Sequence, residues 1–198
     1  LHYTEQDSVE QSLDTLRSRN SGGRVSSHYL LGKDGKIYQL VSDAKRAWHA
    51  GAGRWGAITD VNNASIGIEI DNDGKSPFPD AQIDSLIVLL RDLTTRLRIP
   101  PTQIIGHSDL APTRKIDPGP LFPWKRLASV GHGLWFEPAP ERIAALGVPL
   151  GVGDEGLGVI VLRSGLHRLG YGLKPGGEYD DETRLTVEAF QRHWRPDR

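Results

Sequence analysis

Between residues 104 and 124 the chain runs Ile-Ile-Gly-His107-Ser-Asp-Leu-Ala-Pro-Thr-Arg-Lys115-Ile-Asp117-Pro-Gly-Pro-Leu-Phe-Pro-Trp. An imidazole, an ammonium and a carboxylate share one short stretch, and prolines at 112, 118, 120 and 123 cut its freedom to move. A neutral imidazole and a carboxylate are good zinc ligands. A catalytic zinc usually takes three protein ligands and keeps a fourth position for water. His107 and Asp117 would supply two. His2 is the candidate for the third, because it ends a strand-like segment; His28 and His49 are rivals in or beside strand-like or loop segments. His132, His167 and His193 lie outside the cluster and read as structural or solvated.

Two further side chains could take part in chemistry. Glu69 sits among Ile66, Ile68 and Ile70, with Gly67 allowing close packing. A carboxylate in such a strand is costly unless it is paired or used. Partial desolvation would raise its pKa toward the range a general base needs. Strand alternation pointing Glu69 to a polar face is the competing reading. Lys115, two residues before Asp117, could stabilise an oxyanion beside an open metal position. It could equally be an ordinary exposed lysine.

These residues need elements to hold them. Residues 1–4 read as the end of a strand. Ser8 and Gln11 have capping-box spacing, and Val9, Leu13 and Leu16 line one face of a helix to about Arg19. Asn20–Arg24 breaks it. Val25–Leu31 and Lys36–Val41 read as strands around a hairpin signal, Gly32-Lys-Asp-Gly35. A long polar loop runs from Ser42 to Ala64, a length that usually carries function. Ser65–Ile70 is a buried-type strand. Ala81–Leu97 is the clearest helix, with Ile83, Leu86, Ile87, Leu90, Leu93 and Leu97 at helical spacing. Gln103–Gly106 reads as a short strand that delivers His107. The expected fold is α/β: a mixed central sheet flanked by helices, followed by a small helical domain. Helices are expected at Leu157–Leu169 and Asp181–Trp194.

Composition limits the partners. The 198 residues are 37% hydrophobic and 25% charged, with net charge −1, so the chain can build a core and carries no basic footprint for nucleic acid. No apolar run of about eighteen residues spans a membrane. Cysteine is absent, which removes disulfides, thiolate ligands and a cysteine nucleophile. The opening Leu-His-Tyr-Thr suggests that the segment begins inside a longer protein, with any signal or anchor upstream.

Six pieces carry a resemblance, in order: Leu1-His-Tyr-Thr4, Ser26-Ser-His-Tyr-Leu30, Ala47-Trp-His-Ala-Gly51, Ser65-Ile-Gly-Ile-Glu-Ile70, Gly106-His-Ser-Asp109 and Arg114-Lys-Ile-Asp-Pro-Gly-Pro120. Over residues 1–136 the chain resembles the zinc-dependent N-acetylmuramoyl-L-alanine amidases. That group is related to a phage lysozyme and to the peptidoglycan recognition proteins. The resemblance implies a Zn2+ held by His2, His107 and Asp117, with Glu69 as general acid/base and Lys115 as transition-state stabiliser. It places Trp48, His49, Asn63 and Arg114 along the substrate groove. It implies hydrolysis of the amide between N-acetylmuramic acid and L-alanine in peptidoglycan or its fragments. The alternative is a non-catalytic peptidoglycan-recognition module. His2 lies near the start of the chain, where fraying would weaken metal binding.

The tail resembles a three-helix peptidoglycan-binding domain, through Leu166–Tyr171, Gly177–Thr183 and Val187–Gln191. The expected division is a catalytic domain at 1–136, a linker at 137–153 and the binding domain at 154–198. Asp180 or Asp181 would cap its last helix, and Leu185, Val187, Phe190 and Trp194 would form part of its core. The implied location is the bacterial cell envelope, periplasmic or associated with the outer membrane.

Overall fold

The computed structural model describes residues 1–18 and 25–197. Its centre is a four-stranded sheet in the order β1 (His2–Tyr3), β4 (Ile68–Ile70), β2 (Tyr29–Leu31), β3 (Ile37–Gln39). β4 runs parallel to both β1 and β2, and β2–β3 is an antiparallel hairpin. The mixed sheet expected from sequence is present. Its strands are shorter than the apolar runs that announced them, because residues 25–28 leave the ladder and bond to loops. The Ser26 amide, for example, donates to the Trp48 carbonyl.

Alternation along β4 sets the site. Ile68 and Ile70 point into the main core, 2% and 0% exposed. Glu69 must then face the opposite side. Its register partners are His2 on β1 and Leu30 on β2, so His2 and Glu69 lie side by side.

Helix α1 (Val9–Arg17) begins where predicted. The Ser8 hydroxyl accepts from the Gln11 amide at 3.2 Å, but the Gln11 side chain reaches back to the Asp7 amide rather than to Ser8. The break predicted at Asn20–Arg24 lies outside the described residues. A one-turn helix, α2 (Val61–Ala64), closes the long loop. Helix α3 (Asp80–Leu97) covers one face of the sheet and buries Ile83, Leu86, Leu89, Leu90 and Leu93; Leu97, predicted on that face, is 40% exposed. Gln82 is also buried there. Its amide nitrogen donates to the carbonyls of Leu31 and Asp71 at the ends of β2 and β4, which clamps the helix to the sheet.

The predicted strand at Gln103–Gly106 is not a strand. Pro100-Pro101 starts a 3-10 turn over Pro101–Gln103, since a proline ring suits a helical first turn and has no amide for a ladder. Residues 105–107 still pair with the start of β1. The Leu1 amino group donates to the Ile105 carbonyl at 2.8 Å, and the His107 amide donates to the Leu1 carbonyl at 3.0 Å. With His2 only 3% exposed, the beginning of the chain is pinned rather than frayed. Helix α4 (His107–Leu110) and helix α5 (Trp124–Ser129) bracket the proline-rich loop.

Beyond it lie α6 (Pro140–Ala144), α7 (Leu157–Leu169) and α8 (Asp181–Trp194). α6 falls within the expected linker. The described part of 154–198 forms two helices where three were expected. Asp180 caps α8 by accepting from the Thr183 amide at 2.8 Å. Leu185, Val187, Phe190 and Trp194 are only partly buried; the fully buried positions of α8 are Thr183, Thr186, Ala189 and His193. Thr183 and Thr186 can turn inward because hydrogen bonds satisfy them, Thr183 donating to the Asp180 carboxylate and Thr186 to the Glu182 carbonyl. A second core joins the two halves, with Ala50, Trp55, Val61, Leu110 and Ala111 packed against Leu166, Tyr171, Leu173 and Ala189. No described helix is long and apolar enough to cross a membrane.

Candidate active site

Three elements bring three ligand-type side chains to one point. β1 supplies His2, the first residue of α4 is His107, and the proline-rich loop returns Asp117. Nδ1 of His2 lies 2.9 Å from Nδ1 of His107, and Oδ2 of Asp117 lies 3.1 Å from each. All three residues are buried, and among the described residues they form the one group of His and carboxylate side chains able to hold a metal.

Nε2 of His107 sits 2.8 Å from the Ala50 carbonyl, which can only accept, so Nε2 carries the hydrogen. In the neutral ring, Nδ1 is then a lone pair. It faces the Asp117 carboxylate at 3.1 Å, acceptor against acceptor. Burial pushes the His2 ring down to about 3, against the pull of Asp117, so the His2 ring stays neutral. The His107 lone pair and the Asp117 carboxylate repel unless a cation lies between them. Tetrahedral zinc, with bonds of about 2.0–2.1 Å, sets its ligand atoms about 3.3 Å apart, close to the spacing here.

The rival histidines have other work. His28 accepts from the Gly67 amide on Nδ1, 3.0 Å away, and its Nε2 meets the Lys45 carbonyl at 2.9 Å, so both nitrogens are spent. His49 packs edge-on against His2, with its Nδ1 3.2 Å from Nε2 of His2. It backs His2 as well as bordering the groove. Its backbone amide and that of Ala50 both donate to the Asn62 side chain, at 2.9 and 2.8 Å.

A groove of about 470 Å³ opens over the triangle, lined by His2, Trp48, His49, Glu69, His107, Arg114, Lys115 and Asp117 among others. Glu69 lies in it, and burial together with the Asp117 charge pushes its carboxyl up to about 8. The Lys115 charge acts on Glu69 in the opposite sense. Trp48 is 44% exposed, with the Arg46 guanidinium 4.1 Å from its ring centre. Arg114 donates to the carbonyls of Ala50 and Ala52 at 2.7 and 2.6 Å, so it braces the same loop that holds His107. Asn63 is the predicted residue that the structure does not bring here: it is exposed on α2, and its neighbour Asn62 turns inward instead.

Asp109 also belongs to the site's support, though its motif in sequence assigns it no role. It is 1% exposed and accepts from the Gly106 amide, the Tyr171 hydroxyl and Nδ1 of His193 at 2.7, 2.6 and 2.7 Å. Its place three residues after Gly106 is a capping signal that sequence could have offered. The partnership with Tyr171 and His193 leaves no local signal.

The family description N-acetylmuramoyl-L-alanine amidase matches residues 1–120. The chain belongs to the N-acetylmuramoyl-L-alanine amidase family. Against the N-acetylmuramoyl-L-alanine amidase AmiD of Escherichia coli it is 39% identical over 219 residues, 99% of this chain and 74% of that protein. The amidase relative AmpD of Enterobacter cloacae, a 1,6-anhydro-N-acetylmuramyl-L-alanine amidase, is 41% identical over 102 residues, 52% of this chain and 54% of its own length. Among solved structures, that of AmiD with anhydro-N-acetylmuramic acid-L-Ala-D-gamma-Glu-L-Lys superposes with a TM-score of 0.82, covering 100% of this chain and 79% of that one. AmpDh3 of Pseudomonas aeruginosa, in complex with an anhydromuramic pentapeptide, is 31% identical with a TM-score of 0.84, covering 100% and 82%. The family and fold expected from the six sequence pieces are therefore present in this amidase.

Proposed function

We propose that this chain hydrolyses the amide between N-acetylmuramic acid and L-alanine in peptidoglycan or its fragments, with a zinc ion held by His2, His107 and Asp117. The observation that carries the proposal is the meeting of three buried ligand atoms beside a carboxyl whose pKa burial has raised to about 8. When bound, zinc would supply Lewis acidity at the scissile carbonyl and lower the pKa of water. Glu69 takes the proton of the attacking water and later hands it to the departing alanine nitrogen. A carboxyl that titrates near neutrality suits both transfers. Lys115 supplies positive charge where the carbonyl oxygen becomes an oxyanion. Trp48, His49 and Arg114 border the groove in which the substrate would lie.

Muropeptide-bound structures of AmiD and AmpDh3 support this substrate class. We place the chain's work at the bacterial cell envelope, where that substrate occurs. We assign catalysis to residues 1–136 and contact with the wall polymer to 154–198. In support, the AmpD match covers about half of the chain while the AmiD match extends through nearly all of it.

The test is digestion of purified peptidoglycan by the whole chain, with and without a chelator, and identification of the products by mass. The expected products are intact stem peptides with free L-alanine amino termini, lost with chelator and restored by Zn2+. Cleavage within the stem overturns the bond assignment. Binding without cleavage points to a recognition module.

A further inference from the structure

Helix α4 is the joint at which the three ligand-bearing segments meet. The His107 amide donates to the carbonyl of Leu1, the residue before His2, and the Ser108 amide donates to the carbonyl of Asp117 at 2.9 Å. The Asp109 carboxylate closes this turn by accepting from the Gly106 amide. A shift of the turn therefore moves His107 relative to both of its neighbours.

The turn is gripped from outside the catalytic half. The Tyr171 hydroxyl takes Oδ1 of Asp109 and His193 takes Oδ2. Both gripping groups are buried, Tyr171 at 1% and His193 at 3% exposed. Each is itself fixed: the His193 ring stacks on Trp124 at 3.7 Å, and Tyr171 packs edge-on against Trp55 at 5.2 Å. The backbone locks the same contact, with the Gly56 amide donating to the Gly170 carbonyl at 2.7 Å. A side chain at Gly170, whose φ is +135°, would strike the Trp55 ring, so close approach at this seam requires glycine.

We infer that Tyr171 and His193 are positioning residues for the metal ligands, acting through Asp109 on the Gly106–His107 turn, so that the C-terminal helical unit is part of the metal site's support. The inference rests on the proposed zinc reading. A carboxylate with three fixed donors has one position, and the turn it closes then has one position too. Without its two outer donors, Asp109 would be a buried anion free to seek other partners, and the turn would loosen.

The experiment uses the full chain and measures the zinc dissociation constant by competition with a chromophoric chelator, after circular dichroism shows that each variant is folded. Tyr171→Phe removes only a hydroxyl, and His193→Ala removes a donor. Each is expected to weaken zinc about tenfold, the lower end for residues that orient metal ligands. His193→Asn keeps an N–H near the position of Nδ1 and should recover most of the loss. Leu166→Ala loosens the same interface without touching Asp109; it should lower the melting temperature and leave the zinc constant within about twofold. Equal weakening by Leu166→Ala, or unchanged zinc affinity in both Tyr171→Phe and His193→Ala, overturns the inference while the zinc reading stands. A wild-type chain that takes up no zinc overturns both.

Discussion

Glu69 carries a cost that its proposed role explains. Its carboxyl titrates near 8 in the folded protein against 4.5 for a free side chain. Below pH 4.5 it is protonated in both states and has no effect on stability. Between 4.5 and 8 the unfolded chain ionises while the folded one holds its proton, so stability falls as pH rises. Glu69→Gln removes that linkage. In chelator-stripped protein, thermal melts should show the variant more stable than wild type by about 4 kcal/mol at pH 8 and no different at pH 4. The same variant should still bind zinc but turn over muropeptide about 10²–10⁴-fold more slowly, the range for loss of a general base. Lys115 tests the other charge: Lys115→Ala should lower kcat about 100-fold with a smaller change in KM, because its charge matters most when the oxyanion forms. Steady-state kinetics separate the two parameters.

At the scale of elements, the glycine that leads into β4 links fold to site. A methyl at Gly67 would collide with the His49 ring, which backs His2. Gly67→Ala should destabilise the protein by about 1–3 kcal/mol, as overpacking usually does, and should also weaken zinc binding by displacing His49. Calorimetry and chelator competition on one sample measure both. If stability falls while zinc affinity holds, His49 is a wall of the groove rather than a support for His2. Helix α8 shows how a polar helix face becomes an inner one. Arg163 of α7 helps by donating to the carbonyls of Lys174 and Glu178 and to the Asp180 carboxylate, which fixes the connection between α7 and α8.

The whole molecule is held by two cores, and the second crosses the boundary drawn between the catalytic and helical units. A hinged wall anchor would have a core of its own and a polar seam. Here Tyr171, Leu166 and Ala189 share theirs with Trp55 and Leu110. Unfolding should therefore be one cooperative transition, with near-ultraviolet and far-ultraviolet circular dichroism melting together. Two separated transitions would show that the helical unit folds by itself.

The sequence by itself determined the strand carrying Glu69, helix α3 and both C-terminal helices. Hydrophobic periodicity is local, and the motifs around His2, Glu69, His107 and Asp117 are contiguous words. It could not choose among His2, His28 and His49 from spacing, because a third ligand is selected by which strand ends meet. In the tertiary structure His2 is the one that meets His107 and Asp117, while both nitrogens of His28 are spent on backbone and His49 lies behind His2. It turned Asn62 inward rather than Asn63, since a one-turn helix presents only one side to the loop it closes. It also decided the role of His193, which reads as structural or solvated in sequence and grips Asp109 across a separation of 84 residues. No local pattern encodes such a pair, because its energy comes from burying a carboxylate and its donors together, and that burial exists only once both halves have folded against each other.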